Sequence, residues 1–176
     1  MKYAVIYESV TGNTKLLAEA VRRELGEESC ICFAPASEES DNNIEEKVKD
    51  ADMIFLGFWT DKGDCSGNIV KCMEKLHGRN VFLFGTAGFG GSEAYFSQIL
   101  GRVSAHLGED SVIVGSYMCQ GRMPESVRKR YEALLEQNPD DQKIRGMIDN
   151  FDRALAHPDE KDIEAFRQKI KSLTDE

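Results

Sequence analysis

Three short stretches carry residues whose types and spacing can do chemistry. The first, Ser9-Val10-Thr11-Gly12-Asn13-Thr14, sets three hydroxyls, one amide side chain and a single glycine directly before a run with helical spacing. Hydroxyls and free backbone N–H groups at a helix start make a concave site for phosphate. The stretch is too short for a Walker A loop and holds no lysine, and it lacks the GxGxxG spacing of a dinucleotide fingerprint. A phosphate held by hydroxyls and amides alone points to a tightly kept monoester, not to a nucleotide that is cleaved. The second stretch, Gly57-Phe58-Trp59-Thr60-Asp61-Lys62-Gly63-Asp64, contains the one tryptophan of the chain among polar neighbours. The third, Gly85-Thr86-Ala87-Gly88-Phe89-Gly90-Gly91-Ser92, packs four glycines into Gly85–Gly91, so that backbone can approach a flat ligand closely, with Phe89 between them. Each has a plainer reading on its own: a capped helix entry, a core tryptophan, and a flexible turn with Ser92 as helix cap.

What joins them is their position. Each follows one of five short apolar runs rich in β-branched and aromatic residues: Tyr3–Tyr7, Cys30–Phe33, Met53–Leu56, Val81–Phe84 and Val112–Val114. Near-continuous apolar runs suit strands covered on both faces. Between them, Leu16, Leu17, Ala20, Val21 and Leu25, and later Phe96, Ile99, Leu100 and Val103, repeat at three and four residues, as helices do. The alternation predicts an α/β fold with a doubly wound parallel sheet. In such a sheet ligands bind where loops leave the carboxyl ends of the strands, and the three stretches end strands one, three and four of one crevice. After Gly121 the pattern is wholly helical, with starts marked by Pro124-Glu125, Pro139-Asp140 and Pro158-Asp159. We expect a single domain in which one of these helices covers the fifth strand: 1–138 form the core and 139–176 a helical extension.

The chain has 176 residues and a net charge of −9, a size that suits one domain burying about 70% of its unfolded surface. Its acidity argues against nucleic acid, which requires a basic face. No apolar stretch approaches the roughly 20 residues that cross a bilayer, and no export pattern follows Tyr3–Tyr7, so a cytoplasmic location is expected. Five cysteines without a CxxC pair read as free thiols in a reducing compartment. Cys30 and Cys32 are expected on one face of strand two, and all but Cys119 read as small core residues. Cys119 lies at the crevice end of strand five. The three histidines fall at helix ends, and Arg128-Lys129-Arg130 reads as a solvated helix face. Residues 24–52 hold ten acids and two lysines, so almost all of the net charge gathers near strand two, while the crevice loops are close to neutral. That acidic edge suits steering by a partner with a basic docking surface.

The loops resemble the flavodoxin family. Ser9–Thr14 matches its phosphate loop, (Thr or Ser)-x-Thr-Gly-x-Thr. The chain is similar to flavodoxin-like proteins of anaerobic bacteria that carry Gly-Phe-Trp-Thr-Asp-Lys-Gly and Phe-Gly-Thr-Ala-Gly-Phe-Gly-Gly-Ser. The resemblance covers roughly residues 1–121 and is to the short-chain type, since no long insertion breaks strand five. It implies sheet order 2-1-3-4-5, tightly bound FMN and one-electron transfer between redox partner proteins. By position it implies that Ser9, Val10, Thr11, Gly12, Asn13 and Thr14 hold the FMN phosphate. Trp59, beside Phe58, stacks on one face of the isoalloxazine, and Thr60, Asp61 and Gly63 line its N5 edge. Gly63 or a peptide near it flips to hydrogen-bond the reduced flavin. Thr86, Ala87, Gly88, Phe89, Gly90 and Gly91 contact the pyrimidine end. The family's usual second stacking aromatic is replaced by Glu93 and Ala94, so Phe89 or Tyr95 substitutes or that face stays open. Few acids surround the ring, which predicts a less negative hydroquinone potential than in the usual carriers. An electron carrier is therefore expected, with an FMN-dependent reductase or redox accessory subunit as the alternative. A response regulator is excluded, because Gly57-Phe58-Trp59 stands where its phosphate-accepting aspartate belongs.

Overall fold

The computed structural model describes residues 1–39 and 43–174, and shows why the strand runs are so apolar. The elements run β1 (Tyr3–Tyr7), α1 (Asn13–Leu25), β2 (Cys30–Pro35), α2 (Ala36–Glu39), α3 (Ile44–Val48), β3 (Met53–Trp59), α4 (Gly67–Glu74), β4 (Asn80–Ala87), α5 (Glu93–Ser104), β5 (Val112–Gln120), α6 (Glu125–Gln137), α7 (Gln142–Ala154) and α8 (Glu160–Thr174). The five strands form one parallel sheet in the order β2-β1-β3-β4-β5, as the resemblance implies. Successive side chains of a strand point to opposite faces, and both faces are covered. Ala4, Ile6, Ile54, Leu56, Phe58 and Leu83 meet α3, α4 and α5 through Ile44, Val48, Ile69, Met73, Ile99 and Val103. Tyr3, Val5, Phe55, Phe82 and Phe84 meet α1 through Leu17, Ala18 and Val21.

The second face is completed from an unexpected quarter. The helix that covers it beside α1 is α8, not the first helix after β5. Phe166 of α8 is wholly buried, with ring centroids 5.4 Å from Phe84, 6.1 Å from Phe82 and 5.0 Å from Tyr117. Arg167 and Lys171 of α8 reach Glu24 of α1 at 2.7 and 3.6 Å. The packing therefore divides the helices differently from the 138/139 boundary read in the sequence. α8 belongs to the core, and the surplus pair is α6 and α7, packed on each other ahead of it. The stripe Ile163, Phe166, Ile170 and Leu173 says only that α8 buries a face. Which face it covers is decided by the aromatic surface that α1 leaves open.

Two smaller differences have local causes. β5 runs six residues beyond the apolar run Val112–Val114, to Gln120. It is the sheet's edge and mostly half-buried, so its pattern is mixed. In β2 the register with β1 slips between Tyr3↔Cys30 and Ala4↔Cys32, leaving Ile31 unpaired. Cys30 and Cys32 accordingly pack on opposite faces, not one. Asp41, one of the ten acids of 24–52, lies outside the described residues.

Candidate functional site

α1 begins without a side-chain cap. Its N-cap, Gly12, sits in the left-handed region at φ 89°, and its first turn contains no acid. The positive end of the helix dipole is left to an outside anion. Beside it, Ser9 Oγ and Asn13 Oδ1 are buried without a hydrogen-bond partner among the described residues. An unsatisfied buried polar atom costs about 1–3 kcal/mol, so such atoms commonly mark a missing ligand. Their chemistry differs: Ser9 Oγ can donate to a phosphate oxygen, whereas Asn13 Oδ1 only accepts and suits a hydroxyl such as one on a ribityl chain. Asn13 Nδ2 is committed elsewhere, donating to Arg122 O at 2.9 Å. The Thr14 side chain is engaged within the fold. Its wholly buried hydroxyl lies 3.2 Å from Phe58 O and 3.1 Å from Thr86 Oγ1, tying the first loop to the ends of β3 and β4.

The other two loops are braced against each other. Thr60 donates to Thr86 O through both its amide, at 2.9 Å, and its hydroxyl, at 2.8 Å. Asp61 and Asp64 exchange backbone hydrogen bonds at 2.9 and 3.0 Å around Lys62 (φ 50°) and Gly63 (φ 83°). Positive φ at both central residues gives the tight primed turn of a two-residue hairpin. The Gly63 carbonyl faces Arg102, whose guanidinium lies 3.4 Å away. Asp64 is gripped from behind by the His106 ring, 3.1 Å distant, and by the Cys65 amide. Burial works to raise its carboxyl, but those hydrogen bonds outweigh burial and hold it below the usual carboxylate range. Burial and the Asp64 charge push the neighbouring Cys65 thiol up to about 12. Cys119 faces the core, and burial pushes its thiol up as well, which favours the protonated form of both.

Between these loops opens a cleft of about 630 Å³, within the usual range for small-molecule sites. It brings together Val10, Thr11 and Asn13 of the first loop, Trp59, Thr60, Asp61 and Gly63 of the second, and Thr86, Ala87, Gly88 and Phe89 of the third. Trp59 Nε1, a donor, is a third buried polar atom without a partner among the described residues. Of the two aromatics offered for the second stacking face, both Phe89 and Tyr95 line the cleft; Phe89 is 41% exposed and Tyr95 is half-buried against Phe96. Six residues named from the sequence do not line it. Ser9, Gly12 and Thr14 sit at the start of α1 behind it, with Thr14 wholly buried. Phe58 points into the core and packs over Gly85, where any side chain would collide with its ring. Gly90 lies against Gln120, and Gly91 (φ 87°) turns the chain toward α5.

The sequence reading missed the far wall. Gly121, Arg122, Met123 and Pro124 after β5, and Val127, Arg130 and Tyr131 of α6, close the cleft opposite the loops. With β5 read to its true end, the rule that strand ends face the ligand would have found the first four. Fit is close: a Cβ on Gly88 would strike Met123 at 2.5 Å, and one on Gly121 would strike Asn13 at 2.4 Å. α7 supports the glycine-rich loop from behind. Asn150, nearly buried, donates to Gly88 O at 3.0 Å, and Gln120 Nε2 bridges Gly88 O and Asn150 Oδ1 at 2.9 and 3.1 Å. Arg128 binds α6 to α7 through Asp152 and by lying over Phe151, 5.7 Å from the ring centroid. The run Arg128–Arg130 is thus not simply a solvated face: Arg128 is a tie and Arg130 a wall.

The geometry has counterparts in known proteins. The model of the flavodoxin domain matches residues 4–171. The chain belongs to the flavodoxin family. The match takes in α6, α7 and α8, beyond the segment whose motifs carry the resemblance. The flavodoxin-like domain-containing protein BilS of Clostridium symbiosum (strain WAL-14163) is 38% identical over 182 residues, which cover 98% of this chain and 95% of that protein. The protein of the same name from Clostridioides difficile (strain CD3) is 35% identical over 163 residues, covering 93% and 90%. Oxidised flavodoxin 2 from Bacillus cereus superposes with a TM-score of 0.56 at 14% identity, covering 99% of each chain, and at that identity attests the fold alone. As a flavodoxin-family fold, the chain has the scaffold of flavin redox proteins. No described helix is long and apolar enough to cross a membrane.

Proposed function

We propose that this chain binds FMN noncovalently in the cleft and serves as an electron-transfer protein between redox partners. The observation that carries the reading is the α1 entry: an uncapped helix N-terminus flanked by two orphaned buried atoms, Ser9 Oγ and Asn13 Oδ1, below a wall holding Trp59. These residues fit a phosphate, a hydroxylated chain and a flat ring, in that order. Bound there, FMN supplies reversible electron uptake. The protein's own residues do the rest. Ser9 and the α1 amides take the phosphate, Trp59 presents a ring face, and Thr60–Gly63 hold one edge of the site in a fixed turn. With Asp61 the one acid lining the cleft, the charge around the ring disfavours an anionic flavin less than an acid-crowded site would. A spectroelectrochemical titration is expected to give a second reduction potential less negative than that of acid-rimmed flavodoxins.

The deciding experiment is the absorbance spectrum of the purified protein before and after FMN is added, followed by NADPH with no other protein present. Flavin uptake without bleaching by NADPH supports a carrier, and a protein that takes up no FMN overturns the reading. A second reading, an FMN-dependent reductase or accessory subunit of an oxidoreductase, draws on the exposure of Phe89 at the cleft mouth, which leaves the ring region open to a substrate. Bleaching by NADPH alone would favour it.

A further inference from the structure

We propose that the cleft mouth is a docking surface for a redox partner protein with an acidic face; the redox character of the partner rests on the reading above, the docking chemistry does not. Four cations line this cleft, Lys62, Arg102, Arg122 and Arg130, against the single acid Asp61. They come from four different elements: the hairpin after β3, α5, the segment after β5, and α6. Net charge here is positive in a chain whose total is −9. All four are exposed, and none forms an ion pair among the described residues, whereas Arg22, Arg23, Arg128 and Arg167 all do. The sole side-chain hydrogen bond found for any of the four among the described residues is the long one from Arg102 to Gly63 O. The acids that dominate the total charge lie instead near β2, at the opposite edge of the sheet from β5.

The same mouth exposes apolar surface. Val10 is 63% and Phe89 41% exposed, and both line the cleft. Exposed apolar residues beside arginines are the make-up of a protein interface, where aromatic and arginine side chains supply most of the binding energy. The cations belong to four separate elements and not to one loop that could cup a small anion. The field also orients an incoming partner. Cations at the mouth attract an acidic face while the β2 edge repels it, so the encounter is turned toward the cleft. The proposed partner is opposite in charge to the one expected from the sequence, because cations scattered at 62, 102, 122 and 130 meet only in the fold.

Two probe proteins of similar size and opposite charge test this: acidic cytochrome b5 and basic cytochrome c, titrated into the full-length protein by calorimetry. At about 0.1 M salt the screening length is about 10 Å, so a docked partner feels the rim and not the remote acids. Under those conditions cytochrome b5 is expected to bind roughly tenfold more tightly than cytochrome c. At about 0.01 M, where screening reaches about 30 Å, the preference shrinks as the net charge is felt. The double variant Arg102→Glu/Arg130→Glu should lose the preference, and Lys62→Glu, on an exposed turn, should halve it or more should the double variant misfold. Equal binding, a preference for cytochrome c, or no binding of either overturns the proposal. FMN uptake, followed on the same samples by quenching of Trp59 fluorescence, separates the two readings. Failed uptake with the preference intact sinks the flavin assignment alone, and normal uptake without the preference sinks the docking surface alone.

Discussion

The body of the sheet and the carboxyl ends of its strands are built on opposite terms. In the body the packing is close: Phe166 touches three aromatic rings, and strands β1, β3 and β4 are covered on both faces. At the strand ends, three buried polar atoms lack partners and Arg102, Arg122 and Arg130 form no ion pair among the described residues, while Phe89 and Val10 face water. The contrast teaches where each kind of substitution should be felt. Body residues set stability and leave ligand affinity alone; residues at the strand ends do the reverse.

The sharpest way to break the contrast is Phe166→Ala. Removing a large buried ring should cost about 3–5 kcal/mol in denaturant unfolding, while the protein that stays folded binds FMN with unchanged affinity. A matching loss of FMN affinity would mean that α8 shapes the cleft directly. Ser9→Ala is the mirror image. A hydrogen bond to a charged phosphate is worth about 1.5–3 kcal/mol, so FMN should bind roughly 10- to 150-fold more weakly in a fluorescence titration. Stability without ligand should hold or rise slightly, since an orphaned hydroxyl is removed.

Asn150→Ala tests the one place where the two regions meet. Its loss leaves Gly88 O with Gln120 alone, and an unfolding cost of about 1–2 kcal/mol should accompany weaker FMN binding. The smallest effect belongs to the pair Asp64–His106. Asp64 titrates lower when folded than when unfolded. Its contribution is therefore fully present above the unfolded value of 3.8 and fades as pH falls through the lower folded value. Because Asp64 is 39% exposed, Asp64→Asn should cost less than about 1 kcal/mol at pH 7. Stability profiles of the two proteins should converge in acid; a gap that persists below about pH 3 would mean that Asp64 works through packing and not charge.

Much of this was open to reading in the chain. The apolar runs of β1, β3 and β4 announce strands buried on both faces, and Ser9–Thr14 announces the start of α1 beside the cleft, because local composition determines both. What escaped depended on contacts distant in sequence. The stripes of α6, α7 and α8 look alike, so periodicity could not tell which one meets Phe82 and Phe84. Thr14 looked like a ligand hydroxyl until Phe58 and Thr86 were found beside it. Phe58 itself was misjudged by neighbourhood: adjacent to Trp59 in a strand, it necessarily points the other way.

The partnership of α1 with α8 has a consequence for synthesis. Glu24 and Arg167 are 143 residues apart, yet their helices cover the same sheet face. At about 5–20 residues per second a ribosome needs roughly 10–30 s to pass from one helix to the other. Throughout that interval Tyr3, Phe55, Phe82 and Phe84 emerge with half of their cover missing. Until α8 is made, that aromatic surface stays open, so the face is completed only when Phe166 and Ile170 arrive to cover it.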